Sequence, residues 1–135
     1  MMLALRNSIL FSGGGYWGLC LTAIDTNGST ISMQKVGSPN AVSLMYSLDG
    51  SSWQNFDTNG GTQINLAQGK KVWFKASSTN KGLSGGNSSN YHRFLFSGKV
   101  AASGDISSLL NGTTPLTQLT NYNSNNYAFA SLFRE

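Results

Sequence analysis

The sequence predicts an all-β fold, a single antiparallel β-sandwich of jelly-roll or Ig-like type with about six to eight short strands and little helix. Three observations lead there. Apolar residues recur at every second position in several segments, and Asn-Gly, Asp-Gly and Gly-Gly steps punctuate the chain at intervals of roughly ten residues. Polarity comes from Ser, Thr, Asn and Gly and not from charge: charged residues are 10% of the chain, far below the roughly 25% of an ordinary domain. Short polar side chains compete for the backbone and Gly loses the most freedom on ordering, so this composition disfavours helix interiors. With 135 residues, 39% of them hydrophobic, the chain has the size and apolar content for one domain around one core.

Taken in order, Gly18 to Ala23 is a short apolar strand that runs into Asp25-Thr26-Asn27-Gly28, where Asn and Gly both tolerate positive φ. Thr30 to Gln34 alternates with period two and puts Ile31 and Met33 on one face. Val42, Leu44, Tyr46 and Leu48 take every second position before the turn Asp49-Gly50-Ser51-Ser52 and Trp53, which reads as a hairpin. Phe56, the turn Asp57 to Gly61, and then Ile64 and Leu66 follow. Beyond Gln68-Gly69, Val72, Phe74 and Ala76 share one face while Lys71, Trp73 and Lys75 share the other.

Ser77 to Asn90 is rich in Ser, Asn and Gly with only Leu83 to bury, so it is expected to be a long, mobile surface loop. Tyr91 to Val100 returns to strand character with Phe94 and Phe96 in one phase, and Gly104-Asp105 ends it. Ile106 to Leu110 suits a helical turn with Asp105 as N-cap and Asn111-Gly112 as stop. The last apolar piece, Tyr127 to Phe133, fits a strand or an amphipathic turn equally. The organisation that results is an N-terminal tail or arm over 1–17, the sandwich over 18–112 and a C-terminal extension over 113–135.

Several function classes lack their chemistry. Nine Lys and Arg against five Asp and Glu give a net charge of +4. The cations are scattered and only Lys70, Lys71 and Lys75 cluster, so a solvated face explains them better than a phosphate-tracking groove. Cys20, the one cysteine, sits between leucines and reads as a buried thiol; it rules out an internal disulfide and a multi-cysteine metal site. Asp49, Asp57 and Asp105 fall at turns, where Asp bonds its own backbone, and His92 beside Arg93 reads as a surface residue and not a base. Neither Gly13-Gly14-Gly15 nor Gly85-Gly86 has the flanking Lys and helix of a phosphate loop. Ser47 to Trp53 approaches the Asp-box turn of propeller blades, but its spacing is one residue short and it occurs once, so a plain hairpin is expected. The apolar stretch Ile9 to Ala23 is broken by glycines, a poor signal peptide and too short a membrane span. No enzyme activity, cofactor or membrane insertion is therefore expected.

Two groups of residues are candidates for binding. Lys71, Trp73 and Lys75 place a Trp between two cations, where it could stack on a sugar ring or a base; the plainer reading covers that Trp with a loop such as Ser77 to Asn90 and lays the Lys stems across it. Tyr127, Phe129 and Phe133 are the candidate interface, to be buried in a protein contact or self-assembly.

Several segments together resemble a family, the β-sandwich module that precedes BspA-like leucine-rich repeats in surface proteins of gut bacteria and that also occurs in phage proteins. They are Leu19 to Ala23, Ser29 to Met33, Val36 to Pro39, Tyr46 to Trp53, Val72 to Ser77 and Phe96 to Gly104, with Tyr127 to Phe133 similar to the entrance to a first repeat. The usual continuation through Gly and Cys is replaced by Arg134-Glu135. The resemblance implies display on a bacterial surface or virion, outside the cell, and adhesion to a protein or host surface. It supplies no ligand and no binding residues. A carbohydrate-binding module and a nucleic-acid binder are the rival readings.

Overall fold

Period-two patterning sets which side of each strand is dry. The computed structural model describes residues 15–87, 89–118 and 128–134. Its strands are β1 (Cys20–Ala23), β2 (Ser29–Val36), β3 (Leu44–Ser47), β4 (Gln54–Phe56), β5 (Ile64–Leu66), β6 (Lys71–Ala76), β7 (Ser84–Asn87), β8 (Asn90–Ser97) and β9 (Val100–Ser103). They form a five-stranded sheet, β4-β3-β6-β1-β9, and a four-stranded sheet, β5-β2-β8-β7. Every pairing is antiparallel. The fold is the expected β-sandwich. Only β3–β4 and β7–β8 are consecutive within a sheet, so the Asn27-Gly28 step turns a corner between sheets and does not close a hairpin.

The inner faces follow the alternation. Ile31 and Met33 on β2 and Val72 and Phe74 on β6 are fully buried, and Leu21 on β1 lies opposite Val72. Phe56, Phe74 and Phe94 join the two layers edge-on, with centroids 5.0 Å apart for Phe56–Phe74 and 5.1 Å for Phe74–Phe94. One end is closed by the expected turn, a 3₁₀ segment Ile106–Leu109 whose N-cap Asp105 accepts from Ser107 N–H at 2.9 Å. Leu109 and Leu110 enter the core there. Ser108 ties the seam: its Oγ donates to Phe74 O at 2.8 Å and accepts from Leu19 N–H at 3.0 Å.

Three expectations are corrected. Ser77 to Asn90 is not a free loop, because it contains β7 and two anchored residues. Asn80 is buried, accepts from Ser43 N–H at 3.1 Å, and donates through Nδ2 to Ser43 O and Leu109 O. Leu83 is fully buried, with its N–H donated to Ala128 O at 2.7 Å. A side-chain amide can pair with two backbones at once, which a count of apolar residues does not register. His92 is buried, not on the surface: it shares the phase of Phe94, and Leu83 O lies 3.2 Å from Nδ1. Leu48 leaves the alternation, since β3 ends at Ser47 and Leu48 turns out to solvent.

Candidate functional site

The site is built at the corner where the chain passes from β8 to β9. Gly98 makes the crossing with φ +73°, and a Cβ there would collide with the Gly28 carbonyl, so the corner needs glycine. Phe94 and Phe96 lie on the inner face of β8, opposite Met33 and Ile31 on β2. Phe94 is 2% exposed and Phe96 38%. The C-terminal turn adds Phe133, 44% exposed. The three rings lie nearly parallel, with centroids 5.8 Å apart for Phe94–Phe96, 5.8 Å for Phe94–Phe133 and 6.4 Å for Phe96–Phe133. A core stack thus continues into solvent.

Ile24 and Leu95, both exposed, and Val100 border the same groove, whose volume is about 760 Å³. Its remaining wall is cationic: Arg93, Lys99 and Arg134 line it, with no carboxylate among the described lining residues. Arg93 is held in place, its Nε donating to Gln34 Oε1 at 3.0 Å, and the Arg134 guanidinium lies 5.7 Å over the Tyr91 ring. An apolar floor with fixed positive charge at its margin can take up an apolar side chain and pair with an anion beside it.

The candidates named from sequence fall elsewhere or divide. Lys71, Trp73 and Lys75 do share the outer face of the five-stranded sheet. Lys71 Nζ donates to Thr22 Oγ1 at 3.3 Å, and half-buried Trp73 lies between Cys20 and Ser47 in register. Lys75 is committed to Trp53, with Nζ 4.3 Å from the ring centroid. Tyr16 packs edge-on against Trp53 at 4.9 Å and donates its hydroxyl to Gly112 O at 2.6 Å. Burial, then the charge of Asp105, pushes that phenol up to about 12. This aromatic face is therefore largely engaged with itself, although a cleft of about 320 Å³ remains between Gly15, Tyr16, Trp17 and Gly50. Of the expected interface residues, Phe129 turns toward the protein's own core, Phe133 enters the groove, and Tyr127 lies outside the described residues.

Turn hydrogen bonds and burial shift three further titratable groups. Asp49 is held well below the usual carboxylate range by the N–H groups of Ser52 and Ser51, at 2.7 and 2.8 Å, and by the Ser47 hydroxyl. Burial lowers His92, with Lys35 adding to the effect against the Leu83 carbonyl, and burial raises the Cys20 thiol. Among the described residues no group of three His, Cys, Asp or Glu could hold a metal, and no helix is long and apolar enough to cross a membrane.

Sequence reasoning missed the groove. It put Phe94 and Phe96 in one phase but had no means of knowing that the first is sealed and the second exposed. Fold and site define a two-sheet antiparallel β-sandwich with one open, apolar and cationic corner. Comparison with family models, with curated proteins and with solved structures finds no match to this chain.

Proposed function

We propose that the protein is a non-enzymatic binding or assembly module, displayed on a bacterial surface or a virion, that docks a protein partner through the corner groove. The observation that carries this reading is the phenylalanine stack running from buried Phe94 to exposed Phe96 and Phe133. Apolar area at a single well-formed patch is what a partner's side chains would bury, at roughly 25 cal/mol per Å². The scarcity of ionisable groups supports binding over turnover, and the resemblance to the BspA-associated module supports display outside the cell.

The test is a photo-crosslinking amino acid placed at Phe133, and separately at Leu48, in the cells or particles that carry the protein. The expected result is a discrete adduct from position 133 with an envelope or particle protein, or with a second copy, and none from position 48. No adduct from 133, or the same smear from both positions, would remove the reading. A glycan-binding reading is favoured only by the cleft beside Tyr16 and Trp17, and glycan-array binding lost on Trp17→Ala is the result that would establish it.

A further inference from the structure

We propose that the free edge of β9 accepts an extended, apolar and acidic segment of the partner protein as a further strand of the five-stranded sheet. The inference rests on the protein-docking reading of the corner groove and adds the mode of binding and the chemistry of the ligand.

Two sheets have four terminal strands, here β4, β9, β5 and β7. Three are blunted in ways that discourage pairing with another chain. β4 and β5 are three residues each. β7 shifts register between Ser84 and Asn87, and beyond it the edge of β8 is closed where Phe94 N–H donates to Leu132 O at 2.8 Å. Among the described residues β9, four residues long, has no such device. Its pairing with β1 runs unbroken from Val100 to Ser103, it contains no proline and no charge, and Ala101, Ala102 and Ser103 are exposed.

The ladder shows which backbone groups are free. Ile24 N–H donates to Lys99 O at 3.0 Å, so that pair is hydrogen-bonded, and antiparallel alternation makes Ala101 and Ser103 the next residues to face β1. Val100 and Ala102 therefore turn their N–H and C=O groups outward. Small side chains on β9 let another backbone approach to the usual spacing of about 4.8 Å.

The side chains of the incoming strand are dictated by what lies alongside. Val100 and Ala102 share the inner face with Ala23 and Leu21, so alternate residues of an added strand would project toward Phe96 and Phe133. Those positions call for apolar residues. Lys99, Arg93 and Arg134 stand at the groove margin and call for carboxylates. A second copy of this chain would bring the same cations against them, at +4 net charge per chain, which is why a partner of opposite charge fits better.

The experiment uses fluorescence anisotropy with a labelled peptide of about eight residues alternating Val and Glu. Its comparators are a Val–Lys counterpart and a Val–Glu peptide N-methylated at alternate residues, which keeps the side chains but loses donors. Saturable binding of the Val–Glu peptide is expected, with N-methylation and the Ala102→Pro variant each weakening it by about tenfold or more. Proline is tolerated where an edge N–H faces solvent, so Ala102→Pro should fold, and the N-methylated peptide decides the matter if it does not. No binding of the Val–Glu peptide, equal binding of the Val–Lys peptide, or undiminished binding of the N-methylated one would overturn the inference. If Phe133→Ser abolishes binding while N-methylation does not, groove docking stands and strand addition falls. A dimer in sedimentation that Ala102→Pro dissociates would make a second copy the occupant and refute the partner strand.

Discussion

Beyond its short pairing with β7, the edge of β8 is closed by the protein's own C-terminal turn, whereas the edge of β9, only a few residues later in the chain, is left open among the described residues. The two strands differ in length, eight residues against four, but each of their residues carries the same backbone donor and acceptor. What separates them is a docked segment: Ala128 and Leu132 are buried against the core, their carbonyls accept from Leu83 and Phe94, and Phe133 completes the ring stack. The comparison teaches that an edge is guarded when nearby apolar side chains can anchor the guard. β9 offers only Ala and Ser at its exposed end, and nothing comparable among the described residues holds a cover there.

The strongest way to break this comparison is Leu132→Ala. The side chain is 1% exposed, and removing it should cost about 2–5 kcal/mol through lost transfer energy and the cavity left behind. Urea denaturation measures the loss, and faster hydrogen exchange at the Phe94 amide would show that the β8 edge has opened. A change under about 0.5 kcal/mol would mean that the turn is not an anchor.

Ser131→Gly should sharpen the contrast instead. Ser131 has φ +63° within the C-terminal turn, the one non-glycine positive φ among the described residues. A left-handed conformation costs an L-residue roughly 1–2 kcal/mol, offset in part by the greater freedom of unfolded glycine. A gain of up to about 1 kcal/mol is expected in the same denaturation assay.

The guarded side should also sense pH. His92 donates its backbone N–H to Leu83 O at 2.7 Å, and burial lowers its affinity for a proton below the ordinary value of 6.5. The unfolded chain then binds the proton first, so this stability is fully present above about 6.5 and is lost as pH falls through the depressed folded value. The thermal midpoint should fall as the pH is lowered below about 6.5, and His92→Gln should flatten that fall. Asp49, held low by its turn, acts only at more acidic pH, below the ordinary carboxylate value of 3.8. An unchanged slope in the His92 variant would assign the pH response elsewhere.

The smallest expected effect is at the open edge. Ala102→Lys adds a charge to an exposed strand with little packing to lose, so stability should stay within about 0.5 kcal/mol of the parent. Urea denaturation is again the readout. A large loss of stability would mean that Ala102 is packed and the edge is not free.

Much of the fold was legible because alternation and turn chemistry are local. Ile31 with Met33, Val72 with Phe74, and the cap of Asp105 on Ser107 all follow from residues a few positions apart. His92 could have been placed as well, since it shares the phase of Phe94, but its neighbour Arg93 drew it toward the surface reading. Asn80 was not legible, because its partners Ser43 and Leu109 lie 37 and 29 residues away. The face of Lys71, Trp73 and Lys75 was foreseen, while the capture of Lys75 by Trp53 was not.

The amino-acid sequence alone determined that this chain makes strands, where they turn and which side of each is apolar, since those depend on spacing along one backbone. Only the tertiary structure decided which apolar side chains stay wet. Phe94 and Phe96 are the same residue type in the same phase of one strand, yet one is sealed and the other meets solvent. Burial is a property of what the opposite layer covers, and that is set by distant segments meeting in space.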